Sequence, residues 1–328
     1  MNRFSLKSTW IVLPALIVGL LIASVIAVGQ QRVQRGPDVF IGRVALEPAW
    51  DTFVVELRDG SVNQDTALKI FERIYGHQVD LTTDEEAFSY TGGKADPSLF
   101  FFVDRRSGEL SFTKSEFLIG GKQLPSGREC FGTVLAFLKD VGLAPLDEGE
   151  MMLAHVGGLT ETTLDDNGRQ KQEQKLVTIH IARRLFDGDV YGPGSKIIAH
   201  LNEFGIVGLT KRWTEIGKVT EAKAFGVRSP KEIPESIETH LRNEWVSASK
   251  IEVTDIKLVY YDGMGNFIQP VYAFVARVMF TDESKILPFD YLGFVPALVD
   301  PPEPIFRVEI GDRGMPPREA KPTQGEQD

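Results

Sequence analysis

Val177-Thr-Ile-His-Ile-Ala-Arg-Arg-Leu-Phe-Asp-Gly-Asp-Val-Tyr-Gly-Pro-Gly-Ser-Lys-Ile-Ile-Ala-His-Leu-Asn-Glu-Phe-Gly-Ile-Val207 is the stretch that decides the fold. Val177, Ile179 and Ile181 lie on one face and Thr178, His180 and Arg184 on the other, the period-two pattern of a strand with one face in a core. Gly188 to Gly194 punctuates the run, Lys196–Asn202 resumes the alternation, and Gly205 opens a third apolar segment that ends at Trp213.

Further strands are read on either side. Leu99–Val103 and Glu109–Thr113 make a hairpin around Arg105-Arg-Ser-Gly108. Met151–Val156 and Gln174–Phe186 are joined by a turn at Asp165-Asp-Asn-Gly168. Ile251–Tyr261 and Val271–Phe280 flank Asp262-Gly-Met-Gly-Asn266. Three segments carry helical spacing. One begins near Ser61, with Gln64 completing a capping box. One begins at Ser126, with Glu129 three residues on. The third begins at Pro234, with Ile237, Leu241 and Trp245 on one stripe. The expected fold is therefore α+β: an N-terminal transmembrane helix, then helix-plus-antiparallel-sheet units repeated over 38–125, 126–220 and 221–310. Residues 286–310, broken by Pro288, Pro296, Pro301, Pro302 and Pro304, read as an extended wrap. Residues 311–328 read as a disordered tail.

Ser8 to Gln31 contains no charged side chain, and Trp10–Val28 is almost wholly apolar. At about 1.5 Å per residue that run covers most of a ~30 Å hydrocarbon layer. It predicts a span at 10–29 between a short cytoplasmic tail (1–9) and a connector (30–37), with the bulk of the chain extracytoplasmic. Cleavage after Ala27 or Gly29 would instead release a secreted body. Net charge over the 328 residues is −10, and Arg3 and Lys7 precede the first acidic residue, so the body is more acidic still. Such a body gains nothing from phosphate counterion release, which argues against a nucleic-acid partner. The single cysteine, Cys130, excludes an intramolecular disulfide and a multi-thiolate zinc site.

No catalytic set emerges. Gly192-Pro-Gly-Ser-Lys196 fails as a phosphate loop because Lys follows Ser and a strand follows the loop. Ser111–Lys114 and Ser247–Lys250 lack the companion motifs of acyl-serine enzymes. His155, His180 and His200 are the weak candidates for a metal site, with polar residues on a solvated sheet face as the plainer reading. No cofactor is expected.

The quoted hairpins resemble those of thermolysin-type propeptides and the related PepSY-like domains, across residues 126–280. Gly188, Val190 and Gly192 hold one turn, Gly205 the next, and Leu258-Val-Tyr-Tyr-Asp262 with Ile268–Phe274 stands for the closing hairpin. Similar hairpins occur in membrane-anchored regulators of sensor kinases. The resemblance implies a non-catalytic body that binds a protein partner, a peptidase or a membrane sensor, with Tyr191, Gly192, Pro193 and Gly194 as its contacts. The alternatives are a hydrolase or metal-dependent enzyme with a site assembled from distant residues, and a structural envelope component.

Overall fold

The structure is a computed structural model and describes residues 36–305, apart from 43, 95, 119–122, 165–167 and 282–284. Its framework is a mixed fifteen-stranded sheet with three α-helices among the described residues. The repeated helix-plus-antiparallel-sheet architecture is thereby corrected: strand pairs cross every expected unit boundary and gather into two lobes. No helix among the described residues is long and apolar enough to cross a membrane. The single-pass description therefore finds no support in the fold, and the run 10–28 on which it rests lies outside the described residues, as does the 311–328 tail.

The first lobe is antiparallel. Its strands run in the order β3 (Thr82–Thr83), β4 (Ala87–Thr91), β5 (Phe100–Asp104), β6 (Leu110–Thr113), β11 (Gly205–Arg212), β10 (Lys196–Asn202), β8 (Gln170–Leu185) and β7 (Met151–Leu164). Helices α1 (Gln64–Tyr75) and α2 (Gly127–Asp140) cover one face. Phe71, Val134 and Leu138 pack there on Phe101, Phe112, Ile179, Ile181 and Ile197. The α2 capping box forms as read: the Ser126 hydroxyl accepts from Glu129 N, and the Glu129 carboxylate accepts from Ser126 N. Helix α1 is capped by Asn63 where Ser61 was expected, with the Asn63 side chain accepting from Thr66 N at 2.9 Å.

The second lobe is built on the hairpin of β13 (Lys250–Asp262) and β14 (Phe267–Met279). β1 (Asp38–Ile41) and β9 (Gly188–Tyr191) lie parallel to β13. β2 (Phe53–Arg58) and β15 (Phe289–Pro296) lie antiparallel to β14, and β12 (Glu215–Glu221) flanks β2. β14 is buried along nearly its whole length, because helix α3 (Ile233–Glu244) covers one face and a layer of Tyr261, Val271, Ala273 and Phe294 fills the other. A strand covered on both sides reads as a continuous apolar run, which is the sequence of Val271–Phe274. The expected wrap over 286–310 is, from 289 to 296, a true strand with Pro288 before it and Pro296 as its last residue.

Pro234 sits in the first turn of α3, where a missing N–H costs nothing, and Ile233, Ile237 and Leu241 are fully buried against Ile251, Tyr272, Phe274 and Ala276. Ile237→Ala removes this stripe's central contact. The expected loss is about 2–5 kcal/mol of unfolding free energy in urea titrations, whereas exposed Glu235→Ala on the same helix leaves stability nearly unchanged.

Candidate functional site: an open strand edge beside α3

Two arrangements concentrate polar groups, and they differ in access. The first is the groove between α3 and β15. The helical period that turns Ile233, Ile237 and Leu241 inward puts Glu232, Glu235, Ser236, Thr239 and His240 along the flank that looks toward β15. The space between them is about 600 Å³. Its other wall is the outer edge of β15, whose one strand partner among the described residues is β14. The His240 Nε2 lies 2.8 Å from the Tyr291 hydroxyl, and the two rings stack, which fixes the wall's orientation. At Gly293 a Cβ would stand 2.2 Å from Phe274 Cζ, so the strand passes directly beneath that ring and its backbone stays bare. One end is closed by Arg228, whose Nε donates to Leu298 O at 3.0 Å and whose Nη1 donates to Ser236 Oγ at 3.3 Å.

The second arrangement is sealed. Arg183 and Ser195 are fully buried where the two lobes meet, with Asp262 beside them. Arg183 Nη1 donates to Ser195 Oγ at 3.2 Å, Nη2 to Thr214 O at 2.9 Å, and the guanidinium forms an ion pair with Glu150 at 3.0 Å. Ser195 Oγ donates to Asp262 Oδ2 at 2.5 Å, and Asp262 Oδ1 accepts from Met264 N at 2.9 Å. The Trp213 ring lies 4.2 Å from the guanidinium carbon. Burial lowers the Arg183 pKa and raises that of Glu150 against the pull of their mutual attraction. A serine this inaccessible is closed to a substrate, and the cluster ties the lobes together.

This sealed cluster contains most of the turn singled out in the sequence. Gly192 (φ +101°) and Gly194 approach Asp262 so closely that a Cβ at either would stand within 2.3 Å of its atoms. Tyr191, Gly192 and Pro193 are half-buried and Gly194 is buried. The expected hairpin contacts thus face the partner lobe of the same chain. His155 and His180 are register partners on β7 and β8, with ring centroids 5.6 Å apart. His200 sits on the same face of β10, but its Nδ1 is 2.9 Å from Thr178 Oγ1 and its ring meets Phe117 edge-on. Burial, then the neighbouring imidazole, lowers the pKa of both His180 and His200. Among the described residues no three His, Cys, Asp or Glu side chains are grouped to hold a metal ion. Cys130 is buried in α2 and its thiol pKa is raised by that burial, as suits a packing residue.

No family model matches the chain, and no curated protein matches it. Among solved structures it is similar to an uncharacterized protein from Eubacterium rectale, with 12% identity, 82% of this chain and 91% of that chain covered, and a TM-score of 0.45. The groove has no local signature in the sequence because its walls come from 228–240 and 291–305. A faint signal was the alternation of Tyr291, Gly293 and Val295 with Leu292 and Phe294, which the surrounding prolines obscured.

Lys211, beside the sealed cluster, donates to Trp213 O at 2.8 Å, and burial pushes its pKa from 10.5 down to about 8. The folded state therefore binds fewer protons than the unfolded state between pH 8 and 10.5, and stability attributable to this residue rises with pH across that window. Lys211→Met should remove that rise, about 3 kcal/mol at most. Unfolding measured at pH 7.5 and 10 reads it as a wild-type advantage that grows with pH. A constant difference would refute the assignment.

Proposed function

We propose that this chain is a non-catalytic binding protein that takes an extended segment of a partner protein along the outer edge of β15, beside α3. The observation that carries the reading is the groove itself: an open strand edge faces the flank of an amphipathic helix across about 600 Å³. An added strand gains backbone hydrogen bonds from such an edge, while its alternate side chains enter the space against the helix. An open edge in a stable sheet is also a liability unless something covers it. The groove wall is chemically mixed: the half-buried Leu292 and Ile305 supply apolar surface, Arg228 and Glu235 polar ends. That mixture suits a peptide better than a lipid or a nucleic acid.

Thr239 is exposed on the α3 flank and makes a clean test, because a large side chain there fills the groove without touching the core. Random peptides displayed and selected on the full chain should be enriched in alternating apolar sequences. Thr239→Trp should weaken their binding by about tenfold or more while leaving the melting temperature nearly unchanged. Selected peptides that bind Thr239→Trp as tightly as wild type would place the binding surface elsewhere.

A further inference from the structure

Past the first lobe, β7 and β8 run on together as a bare ribbon. β10 pairs with β8 only over 177–182, whereas β7 follows β8 out to the pair Leu164 and Gln170. Over 159–164, about 20 Å of strand, each has only the other as strand partner among the described residues, and 159–164 and 170–174 are exposed throughout. A two-stranded ribbon is at best marginally stable in water, so one this long calls for a further surface. The outer edge of β7 is open too, since β8 is its one strand partner among the described residues. From Met151 to Thr160 that edge carries neither charge nor proline, two of the devices that keep an edge unpaired, and Leu153, Val156 and Leu159 are exposed along it.

We infer that two copies of the chain pair along β7, antiparallel about a two-fold axis at Gly157, so that their first-lobe sheets become one. The pairing is independent of the groove on the second lobe. Charge selects a second copy over a foreign strand. With a net charge of −10, two copies repel on balance. The ribbon's own charges cancel instead: Lys175 Nζ lies 2.9 Å from Glu161 and 3.3 Å from Glu173, and Lys171 Nζ lies 3.9 Å from Glu173. Such a surface steers neither an acidic nor a basic partner, yet it meets its own copy without like-charge repulsion. The glycines place the axis. A Cβ at Gly158 would stand 2.3 Å from Leu176 O, so the chain's own fold requires that glycine. A Cβ at Gly157 would meet only the ring of exposed His155, and a bare edge position of this kind admits a neighbouring backbone. β7 keeps regular register with β8 from His155 to Leu159, a stretch centred on Gly157, and an isologous pairing needs that symmetry. Leu159 then falls opposite the second copy's His155, and each ribbon lies along the base of the other's β7. The shared ladder, 151–163 in each copy, is about 40 Å long. With side chains on both faces it is on the scale of the roughly 800 Å² per partner that a stable dimer buries.

A cysteine at the axis tests the pairing on the full chain. Gly157→Cys supplies one accessible thiol, because the native Cys130 is fully buried. Facing residues of an antiparallel pair stand about 4.5–5.5 Å apart at Cα, within the reach of a disulfide. Mild oxidation should link most of the Gly157→Cys chains into covalent dimers, while Lys69→Cys, exposed on α1 of the same lobe, stays unlinked. Native mass spectrometry of the full chain should show two copies, and Leu153→Asp with Leu159→Asp should weaken the dimer about tenfold or more. An unchanged near-UV circular dichroism spectrum shows that this double variant is folded; if it is not, the two thiol variants decide. Linking at Gly157→Cys no better than at Lys69→Cys overturns the inference, as does an equally tight dimer in the folded double variant. A single copy whose Gly157→Cys thiol crosslinks to a different protein would give the edge to a foreign strand and overturns it too.

Discussion

A guanidinium without access to water must be surrounded by acceptors; Arg183 finds Glu150, Ser195 and Thr214 O directly, and Ser195 passes the connection on to Asp262 of the second lobe. Glu150 and Ser195 come from strands and turns of the first lobe, while Asp262 closes the β13 strand of the second. Removing any one partner strands a buried charge, so the two sheets cannot slide or rotate against each other without breaking the set. The short strand β9, which pairs with the end of β8 on one side and with β13 on the other, gives the same joint a backbone component. The groove on the second lobe depends on this rigidity, because β13 and β14 hold β15 in place.

The legible parts of the fold were those with local signatures. The alternation of Val177–Ile181 marks a strand with one face in a core, Val271–Phe280 reads as one arm of a hairpin, and Ser126 with Glu129 locates the start of α2 to the residue. The lobe arrangement had no such signature. β2 pairs with β12 and β14, and β1 with β13, across separations that no periodicity encodes. Reading helices and hairpins as neighbouring repeats was the natural consequence of seeing only local order. Asp262 likewise looked like a turn residue, since nothing near it in sequence announces Ser195, 67 positions away.

Prolines explain the other misreading. In the sequence Pro288 and Pro296 read as breakers of an extended wrap, yet a strand whose ends carry proline and whose outer edge lacks a described partner loses no ladder hydrogen bonds to them. The same freedom that admits proline is what leaves the edge available. Structural cost and docking capacity at β15 thus have one origin.

The first lobe lies between Val62 and Trp213, and the strands on either side of that stretch meet only in the second lobe. Synthesis therefore delivers β1 and β2 long before the hairpin that receives them. As the chain emerges, the inner lobe can complete its core and β2 can pair with β12, while β1 has its strand partner only once β13 has left the ribosome. One lobe is nested inside the other, and the outer lobe closes last.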